Sequence, residues 1–65
     1  MYYYVVDKVS GQPVDFNFKP VDEVMKAVFH SKEDAAYFMD STIRTTLGEN
    51  RIDSERTRYE IKELA

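Results

Sequence analysis

The chain has 65 residues, a formal net charge of −3 at pH 7, no cysteine and one histidine. This composition excludes disulfides and thiolate metal sites, and His30 alone cannot build a zinc site, so we expect no metal or other cofactor. There is no basic excess to drive binding to phosphate backbones, and no apolar run approaches the roughly 20 residues of a membrane span.

A length of 65 residues allows one domain at most, so we treat 1–65 as a single domain. The first residues lack the basic segment and long apolar core of a signal peptide. We therefore expect a soluble, cytoplasmic protein. A domain of this size is marginally stable by itself, which makes association with another chain a reasonable expectation.

The first predicted element is a strand over residues 2–9, "YYYVVDKV", which is rich in Tyr and Val. Side chains of a strand point to alternate faces. The two faces carry Tyr2, Tyr4 and Val6 on one side, and Tyr3, Val5 and Val9 on the other. Both faces have similar apolar weight, so the sequence leaves open which of them is buried.

The next residues predict a turn and a second strand. "SGQP" at 10–13 has the glycine and proline that are typical of turns. "VDFNFK" at 14–19 then alternates strictly, with Val14, Phe16 and Phe18 on one face. This pattern predicts a half-buried strand that pairs back on the first.

Residues 20–30 fit two structures. The apolar residues of "PVDEVMKAVFH" recur at helical spacing, and Pro20 would suit a helix start. The stretch "MKAVFHS" also runs directly into a strong helix start, as a strand does before a helix. We prefer a strand at 25–30, and the helix remains the alternative.

The main helix is predicted over about 32–47. Ser31 is a good N-cap residue with Asp34 three positions later, and Gly48 is a typical helix terminator. Asp40 and Arg44 would form an i,i+4 ion pair. An apolar stripe follows the helical period: Ala35, Phe38, Met39, Ile43 and Leu47.

The remaining residues predict a polar loop at 49–55 and a last strand, "RTRYEIKEL", with Tyr59 and Ile61 towards the core. The fold class is therefore α+β, a small two-layer domain. Its sheet has three to four mostly antiparallel strands in the order β-β-(β)-α-β, and one main helix at about 32–47 covers one face.

We expect a protein that is not an enzyme and has no catalytic residues. The two glycines lie far apart, so no dinucleotide-binding or phosphate-binding loop is present. No serine lies in a nucleophile-elbow motif, and the paired acids Asp22–Glu23 and Glu33–Asp34 suit the first turn of a helix.

The candidate binding residues are aromatic. If the single helix covers Tyr3 and Val5, then Tyr2, Tyr4 and Val6 remain on an open face, and tyrosine is enriched at protein interfaces. On the helix, Tyr37 lies off the apolar stripe. Its charged neighbours complete a second candidate site: Asp40 and Arg44.

These residues favour a small acidic protein-interaction module that is not enzymatic. Such a module would bind a partner protein and regulate it, for example by inhibiting it. Alternatively it would self-associate as a homodimer. In both cases it would use a tyrosine-bearing sheet face or edge.

The alternative hypothesis is a nucleic-acid-binding accessory protein that uses exposed tyrosines and an arginine-containing loop: Arg51, Arg56 and Arg58. Interleaved acids make internal ion pairing the preferred interpretation of these arginines and of Arg44, so nucleic acid is the less favoured partner. The junction F-x-S-K-E-D-A at 29–35 is similar to short accessory proteins, including those of bacteriophages. It is a generic pattern and identifies no family.

Overall fold

A three-stranded antiparallel sheet with one long helix on one face forms the domain, which is a small α+β fold. The computed structural model describes residues 1–64. Short 3₁₀ turns lie at Glu23–Met25 and Glu49–Arg51. The strands and helices are β1 (Tyr2–Asp7), β2 (Gln12–Pro13), α1 (Lys32–Leu47), α2 (Ile52–Arg56) and β3 (Tyr59–Leu64).

Strand β1 is central, in the order β2-β1-β3, and both of its neighbours run antiparallel to it. Val6 stands opposite Pro13 of β2, and Val5 stands opposite Ile61 of β3. The Tyr- and Val-rich sequence of β1 suits this position, because aromatic and β-branched side chains pack well on a pleated surface.

Helix α1 has the predicted bounds and the predicted caps. The Ser31 hydroxyl oxygen accepts the N–H of Asp34 at 3.1 Å. Gly48 has φ +99° and donates its N–H to the Arg44 carbonyl at 3.2 Å. The cap satisfies an N–H that the first helical turn leaves unpaired, and a glycine adopts positive φ at low cost.

The core lies between α1 and one face of the sheet. Val5 and Ile43 are fully buried there, and Tyr59 and Ile61 pack against them as predicted. This arrangement settles which face of β1 is covered. The buried cluster contains Val5, Val14, Ala35, Met39, Ile43 and Ile52.

The strand predicted at 14–19 is wrong. The chain turns over residues 16–18, because the Asp15 carboxylate accepts the N–H groups of Asn17 at 2.9 Å and Lys19 at 3.1 Å. Phe18 has φ +62° and donates its N–H to the Asp15 carbonyl. A short acidic side chain can offer the backbone this alternative to a sheet ladder. Only Gln12–Pro13, inside the predicted turn, forms β2.

The segment 20–30 is neither the preferred strand nor the alternative helix. After the 3₁₀ turn at Glu23–Met25 it is extended, and Phe29 forms a single bridge with Tyr3 through two hydrogen bonds of 2.8 Å. Strand β2 already occupies the other half of this edge of β1, so there is room for only one pair.

Two predictions near the end of α1 also need correction. Leu47, the last residue of α1, is 46% exposed and does not belong to the buried cluster, so the apolar stripe ends before it. The predicted polar loop at 49–55 contains α2, whose Ile52 is buried in the core. Strand β3 starts at Tyr59, after a turn in which Arg58 donates its N–H to the Glu55 carbonyl.

Candidate interaction surface

The sheet face that points away from α1 is the candidate site, and we call it the open face. Its register follows from the β1–β3 pairing, in which Tyr4 stands opposite Lys62. Tyr2 is 46% exposed, Tyr4 is half-buried and Val6 is buried at 8%. The face comprises Tyr2, Tyr4 and Val6 of β1 and Glu60, Lys62 and Leu64 of β3.

Two side chains from the extended segment 26–30 lie against the tyrosines of this face. The Lys26 Nζ is 5.3 Å from the centroid of the Tyr4 ring, and the His30 ring is 5.2 Å from the Tyr2 ring. Lys26 is held in place because its Nζ donates to the carbonyl and carboxylate oxygens of Glu23, both at 2.9 Å. The tyrosine rings are therefore partly ordered before any partner binds.

Lys26 and His30 were not among the candidate residues of the sequence analysis. The sequence pattern that could have identified them is the alternation of side-chain direction along residues 26–30, in which Ala27 and Phe29 point towards the core. The intervening side chains then point to the other side of the sheet. Two apolar side chains of the 3₁₀ turn that ends just before Lys26, Val24 and Met25, are exposed.

The candidate residues on α1 lie on the opposite side of the domain from the open face. Tyr37 is 75% exposed. The Asp40–Arg44 pair is wrong, because each residue has another partner. The Asp40 carboxylate accepts two hydrogen bonds from Arg56, at 2.8 and 3.2 Å, and Arg44 Nε lies 3.2 Å from Glu49 Oε1.

The internal pairing expected for the arginines is confirmed for Arg44, Arg56 and Arg58. Of their three partners, only Glu49, which pairs with Arg44, lies in the predicted polar loop at 49–55. Arg56 pairs with Asp40 of α1 and Arg58 pairs with Asp7 of β1. Two of the three guanidinium groups of the alternative nucleic-acid hypothesis, those of Arg56 and Arg58, are thus already paired with carboxylates.

Asp7 is the one buried charged side chain in residues 1–64, with 2% of its surface exposed. Its carboxylate accepts the Val9 N–H at 2.9 Å and two Arg58 donors at 3.3 Å. Burial by itself would raise the pKa of Asp7, but these hydrogen bonds and the Arg58 charge outweigh burial and lower the pKa below 3.8. Their hydrogen bond also raises the pKa of Arg58. The pair joins the end of β1 to the residue before β3.

The candidate site is a surface and not a cavity, since residues 1–64 enclose no pocket. In the same part of the chain, no three His, Asp or Glu side chains are grouped so that they could hold a metal ion. None of its helices is long and apolar enough to cross a membrane. Comparison with protein-family models, with curated proteins and with solved structures found no match to this chain.

Proposed function

We propose that this protein is a binding module that holds a partner protein against the open face. The observation that carries the proposal is the contrast between the two sides of β1. Helix α1 covers Tyr3 and Val5, whereas Tyr2 and Tyr4 face a side on which none of the described helices packs. By covering a functional surface of its partner, such a module would regulate the partner, and would inhibit it where that surface is the active one.

Tyrosine is suited to this role because its ring offers a large apolar area and its hydroxyl can hydrogen-bond at the rim. Tyr2 borders His30, and Tyr4 lies beneath Lys26, so both rings have a defined neighbour. Ordered rings lose less conformational freedom on binding, which favours affinity. A matching partner surface would present apolar side chains to the rings and hydrogen-bond acceptors to the hydroxyls and to Lys62.

The alternative, nucleic-acid binding, has less support. It needs free guanidinium groups and exposed tyrosines on one surface. Arg56 and Arg58 are paired with Asp40 and Asp7, so neither of these guanidinium groups is free to bind phosphate.

The test compares the wild-type chain with the double variant Tyr2→Ser/Tyr4→Ser as bait for protein partners, with and without nuclease. We expect the double variant to lose the partners that the wild type retains. Tyr37→Ser is the matched control, because it removes an equally large exposed ring from the other side of the domain. Chemical unfolding of all three proteins checks that the domain is intact.

The proposal fails if the folded double variant retains the same partners. It also fails if the double variant is unfolded, because the tyrosines would then be structural. Retention that disappears with nuclease would support the nucleic-acid alternative instead.

A further inference from the structure

The two outer edges of the sheet differ in how their backbone groups are used. On the β2 side, Phe29 exchanges two hydrogen bonds with Tyr3, and Ala27 donates its N–H to the Val14 carbonyl. On the other side, β3 pairs with β1 alone. Among residues 1–64, no backbone or side-chain group bonds to the outward backbone of β3.

The direction of each backbone group on β3 follows from the β1 hydrogen bonds. Tyr3 directs its N–H and C=O towards Phe29, so the Tyr3–Glu63 pair is one that exchanges no hydrogen bonds. Pairs alternate along an antiparallel ladder, so the β3 residues opposite Tyr2, Tyr4 and Val6 bond to β1. The outward N–H and C=O groups therefore belong to the other three residues of β3: Tyr59, Ile61 and Glu63.

We propose that this outward edge of β3 pairs antiparallel with the same edge of a second copy of the chain. The two-fold axis would pass between the two Ile61 residues, and Tyr59 of each copy would stand opposite Glu63 of the other. Each of these pairs would exchange two N–H···O=C bonds, since all three residues direct their backbone groups outward. The result is one continuous sheet with three strands from each copy.

Charge selects this register. With Ile61 opposite Ile61, Glu60 of each copy lies opposite Lys62 of the other, as a pair that exchanges no backbone hydrogen bonds. Side chains in such pairs are close, with Cβ atoms roughly 4.5–5.5 Å apart. A shift of the pairing by two residues in either direction also keeps the α1 helices of both copies on the same side of the sheet. One of these shifted registers places Glu60 opposite Glu60, and the other places Lys62 opposite Lys62. Like charges directly opposite each other are destabilising, so both are disfavoured.

This inference goes beyond the proposed function, because it depends on the backbone edge of β3 and not on the tyrosine rings. It has a consequence for the open face. The two faces would join across the new strand pair and offer a partner two copies of Tyr2 and Tyr4 on one surface. A single strand pair is a small interface, so we expect a reversible dimer whose population rises with concentration.

The first experiment measures the mass of the full chain in solution by sedimentation over a wide concentration range, together with amide hydrogen exchange by NMR. At high concentration we expect a dimer and slower exchange at Tyr59, Ile61 and Glu63. The amides of Glu60 and Lys62 should be protected at every concentration. A monomer at all concentrations overturns the proposal, and so does a dimer without this alternating protection.

The second experiment tests the register by charge exchange. Lys62→Glu and Glu60→Lys should each weaken the dimer by at least about tenfold, and the double exchange should restore it. Lys19→Glu, an equal charge change in the exposed 16–19 turn, is the control. Weakening that the double exchange does not restore contradicts the register.

A backbone test separates the edge from the open face. Glu63→Pro removes an outward N–H and should keep the chain monomeric, whereas Glu63→Ala should not. Unchanged association of Glu63→Pro would overturn the edge pairing. The Tyr2→Ser/Tyr4→Ser variant keeps this edge, so it should lose partner proteins while still forming the dimer. The two proposals can therefore fail independently.

Discussion

The buried carboxylate of Asp7 allows a prediction that combines stability with pH. Asp7→Asn keeps the size of the side chain and an oxygen that can accept the Val9 N–H. It replaces Oδ2, which accepts from Arg58 Nη2, with an amide group that donates, so two donors oppose each other there, while the remaining oxygen can still accept from Arg58 Nε. The expected loss is the hydrogen bond from Arg58 Nη2, together with the carboxylate charge that strengthens the bond from Arg58 Nε, in a site that is 2% exposed.

The magnitude can be estimated from the environment of the pair. A hydrogen bond to a charged group contributes about 1.5–3 kcal/mol. The Arg58 side chain is half-exposed, so water recovers part of this loss, and we expect Asp7→Asn to destabilise the fold by about 2 kcal/mol. For a chain of this length the whole free energy of unfolding is roughly 3–10 kcal/mol. The substitution should therefore shift the unfolding midpoint clearly.

The pH dependence has a definite sign. The folded-state pKa of Asp7 lies below 3.8, so its carboxylate contributes stability at pH values above the pKa of the unfolded chain. This contribution is lost as pH falls through the lowered folded-state pKa. The difference in stability between wild type and Asp7→Asn should therefore be largest near neutral pH and should shrink in acid.

Urea unfolding followed by circular dichroism, at neutral pH and at a series of acidic pH values, measures this difference. Asp22→Asn is the matched control, because the Asp22 side chain is exposed and caps nothing. Equal stability of Asp7→Asn and wild type at neutral pH would refute the reasoning. If the difference in the free energy of unfolding between the two proteins stays constant as the pH is lowered, the carboxylate charge is not the source of the stabilisation.

Three further outcomes test the fold and the alternative function. Ser31→Ala should cost about 1 kcal/mol in urea unfolding and Ser31→Gly only a few tenths, and equal losses would contradict the capping role. Ile43→Ala, at a fully buried position, should cost about 2–5 kcal/mol, and Leu47→Ala less than half as much; the reverse order would contradict the corrected stripe. Oligonucleotides should not be retained at about 50 mM salt, since Arg56 is paired with Asp40; retention there would favour the nucleic-acid hypothesis.

Helix α1 could be predicted because its signals are local. The Ser31 cap bonds to a residue three positions away, and the glycine terminator bonds to a residue four positions away. The apolar period of the stripe needs no knowledge of the rest of the fold. Leu47 was misplaced because the period alone does not say how far along the helix the buried core extends.

The segment 14–19 shows why a clear alternating pattern can mislead. Asp15 is part of the alternation, and it is also the residue whose carboxylate bonds to the backbone of Asn17 and Lys19. Periodicity describes where side chains would point if the chain were extended. It does not show whether an extended strand or a local turn is more stable, so the pattern could not exclude the turn.

Contacts across the sequence were beyond prediction. Asp7 and Arg58 are 51 positions apart, and only the β1–β3 register brings them together. The same register decides that Ile61 joins Val5 on the core side, and therefore that Tyr2 and Tyr4 are on the open face. The two faces of β1 are equally apolar in sequence, so the choice between them depended on this pairing.

The exposure of the side chains on the open face falls along β1, from Tyr2 through Tyr4 to Val6. At one end, Val6 is buried beside Pro13 of β2, which is also buried. At the other end, Tyr2 lies against the exposed His30 and opposite Leu64 of β3, and it remains 46% exposed. A side chain can contribute to binding only through area that it still exposes. The contribution to partner binding should therefore fall from Tyr2 to Tyr4 to Val6, and the loss of Val6 should reduce stability rather than affinity.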